Sequence, residues 1–254
     1  MRGEEEMQTE EQNSVTQIQD IQEIANKPVI KADDVGFDVQ KKNKYSIDEN
    51  NGYICYTVSI QDDLDKIEEL RNFVKGIYKN NQYEGFSDFV DIYFDLNSIY
   101  FFVENSEGVL LSTQRVVFKT INSLLPCEMA IIDKEPKRRY VIEELDVAEL
   151  TSFTFNDFKS TNLLITSIIH YLEKNKIRKG YALLDKNSKS IYKVYKQVGW
   201  KNSKVYNDQV YFCSYGKKLN NSFFPTLWQL LEITHADINN KKFNYSNYKF
   251  YQGS

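Results

Sequence analysis

The sequence predicts an α/β fold, a mixed sheet with helices on both faces. Three observations carry this. Short runs rich in β-branched and aromatic residues alternate with longer stretches of helical periodicity. Two strand-like runs flank Asn105–Gly108 and read as a hairpin. The second half then orders itself as strand, helix, strand, helix, hairpin, which suggests two helical layers around one sheet.

The elements follow in order. Residues 1–25 carry one Arg against six Glu and one Asp, with Val15, Ile18, Ile21 and Ile24 at intervals of three. This is either a short amphipathic helix or a disordered acidic arm. "YICYTVSI" (53–60) is a strand. The next twenty residues begin with acids and place Leu64, Ile67, Leu70, Phe73, Val74 and Ile77 on one face, so they form a helix. Residues 85–98 read as irregular and aromatic. "IYFFVENSEGVLLSTQRVVFK" is the hairpin. "LPCEMAII" (125–132) is a short apolar element, followed by the basic loop "DKEPKRR". Residues 140–155 are strand-like with a break near Asp146. Helix 159–175 has Leu164, Ile168 and Leu172 on one stripe. "GYALL" (180–184) is a short buried strand, and the helix after it ends at Gly199. Residues 205–216 read as a hairpin around Asn207–Asp208, and 223–238 as a helix before an aromatic, basic tail.

Composition excludes several classes. The chain has 254 residues, 41% of them hydrophobic, which suffices for one large domain or two small ones. A net charge of −4 argues against general nucleic-acid binding. No run of about 18 apolar residues occurs, so no transmembrane helix is expected. The acidic start "MRGEEEMQTEEQ" does not read as a secretory signal. Cys55, Cys127 and Cys213 lack CxxC spacing and read as thiols of a reducing cytoplasm. With only His170 and His235, no metal site is expected.

Three stretches carry a family resemblance. In "IYKVYKQVGW", residues Val194, Tyr195, Gly199 and Trp200 fill the L-Y-x-x-x-G-F pattern that ends a helix in the GNAT acyltransferases. "EGVLLSTQRVVF" looks like that family's central hairpin leading into an Arg-containing strand. "ELTSF", Glu149–Phe153, is similar to the E-L-S-R-F segment of the acyl-homoserine-lactone synthases and the long-chain N-acyl amino acid synthases, two branches of that fold. The acidic-aromatic segment, hairpin and "LPCE" upstream resemble the same branch, so the likeness spans roughly residues 53–216. Three departures stand out. Ser152 replaces the Arg, "NDFKSTNLL" replaces a glycine-rich pyrophosphate loop, and Ser188 stands where many members have Asn.

The resemblance implies a GNAT-like mixed, mostly antiparallel sheet whose central strand pair splays. It divides the chain into an acidic arm (1–50), an acyltransferase domain (51–219) and a C-terminal helix and tail (220–254). It implies an N-acyltransferase that moves an acyl group, long-chain or short, from acyl carrier protein phosphopantetheine or acyl-CoA to a small amine such as an amino acid. Glu149 would be the general base and Tyr195 the acid for the leaving thiolate. Backbone N–H groups at Leu150, Thr151 and Ser152 would meet the oxyanion and donor arm. Lys159, Ser160, Thr161 and Asn162, at a helix N-terminus, would face its phosphate. Arg115 and Glu128 would hold the acceptor, Arg115 by a two-pronged grip on a carboxylate. The alternatives are an acetyl-CoA-dependent N-acetyltransferase and an inactive GNAT-fold binding protein.

Overall fold

A strand with apolar residues on both sides needs a layer on each face, and the middle of this sheet is covered twice. The computed structural model describes residues 43–85, 87–185, 187–220, 222–241 and 247–251. The Val15–Ile24 stripe lies outside them. The first half contains β1 (Asn43–Asp48), β2 (Tyr53–Val58), α1 (Leu64–Asn80), β3 (Tyr83–Glu84), α2 (Asp88–Asp95), β4 (Ser98–Glu104), β5 (Leu110–Phe118), α3 (Pro126–Met129) and β6 (Ile131–Ile132). The second contains β7 (Val147–Phe155), α4 (Ser160–Lys174), β8 (Lys179–Asp185), α5 (Lys189–Gln197), β9 (Lys201–Asn202), β10 (Val210–Tyr211), β11 (Gly216–Leu219), β12 (Ser222–Pro225), β13 (Trp228–Thr234), α6 (His235–Lys241) and β14 (Lys249–Phe250).

The main sheet runs β14-β1-β2-β4-β5-β7-β8-β13-β10-β6, with β9 also on β13. Among the described pairs only β7–β8 is parallel. A small flap, β12-β11-β3, stands apart from it. Alternation along the strands sorts side chains between two cores. Ala148, Leu150, Ala182 and Leu231 pack with α4 and with Val194 and Tyr195 of α5. Val117, Val147, Tyr181 and Leu230 face the other way, against Phe94 of α2 and Cys127 of α3. On that same side α1 buries Ile67 and Leu70 against Val58, Tyr100 and Phe102.

The local signals that held have simple causes. Asp63 caps α1 by accepting from the Lys66 backbone N–H at 2.9 Å. Gly108 N–H donates to the Asn105 carbonyl at 3.0 Å and closes the β4–β5 turn. Gly199 has φ +102°, so Trp200 N–H folds back onto the Tyr195 carbonyl at 3.1 Å and ends α5.

Four expectations need correction. Residues 85–98 are not irregular, because Ser87 starts α2 by accepting from Val90 N–H. Residues 223–238 are not one helix: β12 and β13 precede α6, and every residue from Trp228 to Thr234 pairs with β8. Leu230 enters one core while Leu231 and Ile233 enter the other. A strand buried on both faces shows a continuous apolar run that periodicity cannot tell from a helix. Residues 205–216 are not a hairpin on Asn207–Asp208, since Val210 pairs with Trp228 and with Ile132. Finally, β1 and β14 pair with each other, so the sheet extends past both expected boundaries, at 50 and at 220.

Leu231 is fully buried between β8 and the α4 layer. Leu231→Ala is expected to lower unfolding free energy by about 3 kcal/mol in urea titration, as for other core truncations. A loss below about 1 kcal/mol would contradict β13 as a central strand.

Candidate active site

The parallel pair ends early. β7 and β8 match Val147 with Lys179, then Ala148 with Gly180, Glu149 with Tyr181 and Leu150 with Ala182, and there the pairing stops. Beyond it β7 stays with β5 as far as Phe155, and β8 stays with β13 as far as Asp185. The edge of β7 that faces β8 therefore has no strand partner from Thr151 onward among the described residues. Backbone groups left this way need a partner from elsewhere. At the same point the β5–β7 register shifts and Ser152 takes φ +56°. This bulge bends β7 away from β8.

Two cavities meet in the gap. One, of about 230 Å³, is lined by Glu149, Arg115, Asp91, Phe94 and Met129. The other, of about 630 Å³, is lined by Phe153, Phe155, Ser188, Lys189 and Tyr195. Tyr78, Leu150, Thr151, Ser152, Tyr215 and Trp228 border both. The two adjoin at these shared residues as a passage beside the open edge of β7. Glu149 enters it from one face and Tyr195 from the other. The flap lies over the passage, where Tyr83, Tyr215 and Trp228 stack. Asp185 anchors the flap to β8 by accepting from Tyr83 Oη at 2.7 Å and Lys217 Nζ at 3.1 Å. Gly85 is required here, since a Cβ would sit 1.6 Å from the Ser214 carbonyl oxygen.

Glu149 is fully buried. Its Oε2 accepts from Cys127 N–H at 2.8 Å, and its Oε1 has no partner among the described residues. Burial pushes its pKa up to about 7, against the opposing pull of the Cys127 thiol and amide. Such a carboxylate can take or hold a proton near neutrality. Tyr195 is also buried, and its Oη accepts from Gln114 Nε2 at 2.5 Å. Burial raises its pKa, so the phenol keeps its proton at neutral pH. Gln114 Oε1 is a second buried acceptor without a partner among the described residues.

The remaining expected residues separate. Leu150, Thr151 and Ser152 line the passage. Arg115 lines it too, but Nε donates to Thr151 Oγ1 at 3.1 Å and Nη1 to Asp91 and Asp95 at 3.1 and 2.9 Å. Nη2 makes none of these bonds, so Arg115 offers one N–H edge instead of a two-pronged grip. Glu128 stands apart from the passage. Its carboxylate accepts from Lys119 Nζ, Leu125 N–H and Ile142 N–H at 2.6, 2.8 and 2.8 Å, and it borders neither cavity. It anchors α3 to the strand lead-in.

The start of α4 also departs from expectation. Ser160 and Thr161 are fully buried, with hydroxyls donating to the Asp157 and Phe158 carbonyls at 2.7 and 2.6 Å. Thr161 and Asn162 N–H donate to the Phe158 and Lys159 carbonyls, and Lys159 N–H donates to Asp157 Oδ1 at 3.1 Å. None of Lys159, Ser160, Thr161 or Asn162 borders the passage. The acceptor beside the helix start is the chain's own carboxylate, Asp157. Sequence reasoning also missed Asp91, Asp95 and Gln114. The α2 residues Asp91 and Asp95 stand four apart, one helical turn, a signal that was available once 85–98 was read as a helix.

Among solved structures, the chain resembles FeeM, an N-acyl amino acid synthase from uncultured soil microbes, with a TM-score of 0.50 and 12% identity over 75% of this chain and 95% of that one. An acetyltransferase of the GNAT family from Staphylococcus aureus Mu50 aligns at a TM-score of 0.43 and 13% identity, over 71% of this chain and 99% of that one. Spermidine N-acetyltransferase from Vibrio cholerae, solved with CoA and spermine, aligns at 0.44 and 13%, over 74% and 99%. No protein-family model and no curated protein matches the sequence. The architecture is a GNAT fold.

Glu149 makes a stability prediction. Its folded pKa, about 7, lies above its ordinary value of 4.5. Between these values the folded chain holds a proton that the unfolded chain releases, so stability falls as pH rises through that window. Glu149→Gln removes this dependence. The stability of Glu149→Gln relative to the parent is expected to rise by up to about 3 kcal/mol between pH 4.5 and pH 8 in denaturant titrations. A difference independent of pH would contradict the raised pKa.

Proposed function

We propose that this chain is an N-acyltransferase that moves an acyl group from a pantetheine thioester to the amine of an amino acid or similar small molecule. The observation that carries this reading is Glu149, a buried carboxylate with a raised pKa and a bare oxygen, set in a passage open to both faces of a splayed strand pair. No hydrogen bond among the described residues uses that oxygen. The larger cavity follows the unpaired edge of β7, which suits an extended pantetheine arm held by backbone hydrogen bonds. The smaller, aromatic cavity suits the acceptor, with Arg115 Nη2 offered to its carboxylate and Glu149 to its amine.

The transfer is direct. The amine nitrogen attacks the thioester carbon, forming the C–N bond, and the C–S bond breaks. Glu149 takes the proton from nitrogen. A backbone N–H of Thr151 or Ser152 donates to the oxyanion. Tyr195 gives its proton to the departing sulfur, and its phenolate is stabilised by Gln114. We place the reaction in the cytoplasm, because Cys55 and Cys127 are buried free thiols. Among the described residues no helix is long and apolar enough to cross a membrane. The donor in this reading is acyl carrier protein or acyl-CoA.

Mass spectrometry of organic extracts from cells overproducing the chain, beside cells overproducing Glu149→Gln, tests the reading. A new N-acylated amine, lost in the variant, is expected. A product equally abundant in both would remove Glu149 from the chemistry, and no product in either would favour the inactive binding protein. With the product identified, Glu149→Gln and Tyr195→Phe are each expected to lower kcat at least tenfold without lowering Tm. The rate should rise with pH along a limb near pH 7 that the Gln variant lacks.

A further inference from the structure

This inference rests on the reading that the passage takes a pantetheine thioester. A GNAT fold implies that the diphosphate of coenzyme A lies at the N-terminus of α4, and the residues there do not fit that group. No glycine occurs between Glu149 and Lys179, so the backbone cannot curl closely around two phosphates. The N–H donors of Lys159, Thr161 and Asn162 are already taken within the chain. Both hydroxyls of the first turn donate backward to carbonyls. The acceptor at the helix end is Asp157, fixed on its other oxygen by Tyr53 Oη at 2.6 Å.

We propose that Asp157, held by Tyr53, fills the phosphate position at α4, so that this chain recognises its acyl donor by the pantetheine arm and acyl group and not by the coenzyme A diphosphate. Tyr53 reaches across from β2 and pins the carboxylate against the helix end. The bond from Tyr53 is the main cause that keeps the Asp157 pKa below its ordinary range, so the group is anionic at neutral pH. A diphosphate brought there meets like charge and spent donors, where a bare helix end would offer N–H groups and a favourable dipole. Lys159 is the one cation between residues 156 and 162, and it is exposed. The phosphate of the natural donor would remain outside this contact, as it does when the arm is carried on another protein.

Calorimetric titration of the full chain with coenzyme A and with pantetheine tests this. The two dissociation constants are expected to agree within about threefold. Asp157→Asn keeps an oxygen that can accept from Lys159 N–H and removes the charge. It is expected to tighten coenzyme A at least threefold, and Asp157→Gly, which also frees backbone donors, by about tenfold. Neither should alter pantetheine. Coenzyme A binding tenfold or more tighter than pantetheine by the parent chain would overturn the proposal. So would an unchanged coenzyme A affinity in the Asn variant, which retains the acceptor for Lys159 N–H. Failure of both ligands to bind the parent at millimolar concentration would instead overturn the pantetheine reading of the passage, and the inference with it.

Discussion

Everything at the site depends on where two parallel strands stop pairing. β7 and β8 share a ladder only from Val147–Lys179 to Leu150–Ala182. Each then follows its antiparallel neighbour, and the Ser152 bulge turns β7 aside. A non-glycine residue at positive φ costs about 1–2 kcal/mol, and a sheet left open forgoes ladder bonds. In exchange the fold gains a passage between its two helical layers. Without the opening, Glu149 and Tyr195 would lie in separate cores on opposite faces of a closed sheet.

The second constraint is how buried charge is distributed. Arg115 and Arg71 are matched by Asp91 and Asp95, and Lys119 by Glu128. These groups are compensated by partners of opposite sign, which is what burial of a charge demands. Glu149 is treated differently. It has one amide and one thiol beside it and, among the described residues, no cation bonded to it, so burial outweighs the weaker pull of Arg115. Two buried glutamates thus serve opposite ends. Glu128 ties α3 down, and Glu149 keeps an oxygen free.

Much of this was legible in the sequence, but unevenly. The β4–β5 hairpin, α1, α4 and the Gly199 cap follow from short-range signals at Asn105–Gly108, Asp63 and Gly199. "ELTSF" marked the strand that carries Glu149 through its resemblance to the E-L-S-R-F segment of two GNAT branches. Other features were hidden for physical reasons. Trp228–Thr234 is buried on both faces, so its pattern resembles a helix. Glu128 looked available because its partners, Lys119 and the Ile142 amide, come together only in the fold. The polar start of α4 looked like an anion cradle, yet Asp157, in plain view, is satisfied by Tyr53 from β2, a contact no local reading could supply.

The measurement that tests the central claim most directly is a 13C NMR titration of the glutamate side-chain carboxyls, with Glu149→Gln used to assign the signal. The account predicts that one resonance, absent from the variant, titrates with a midpoint near pH 7. A Glu149 resonance that titrates near its ordinary value of 4.5 would show an oxygen already partnered or solvated, and would remove the proposed base from the middle of the passage.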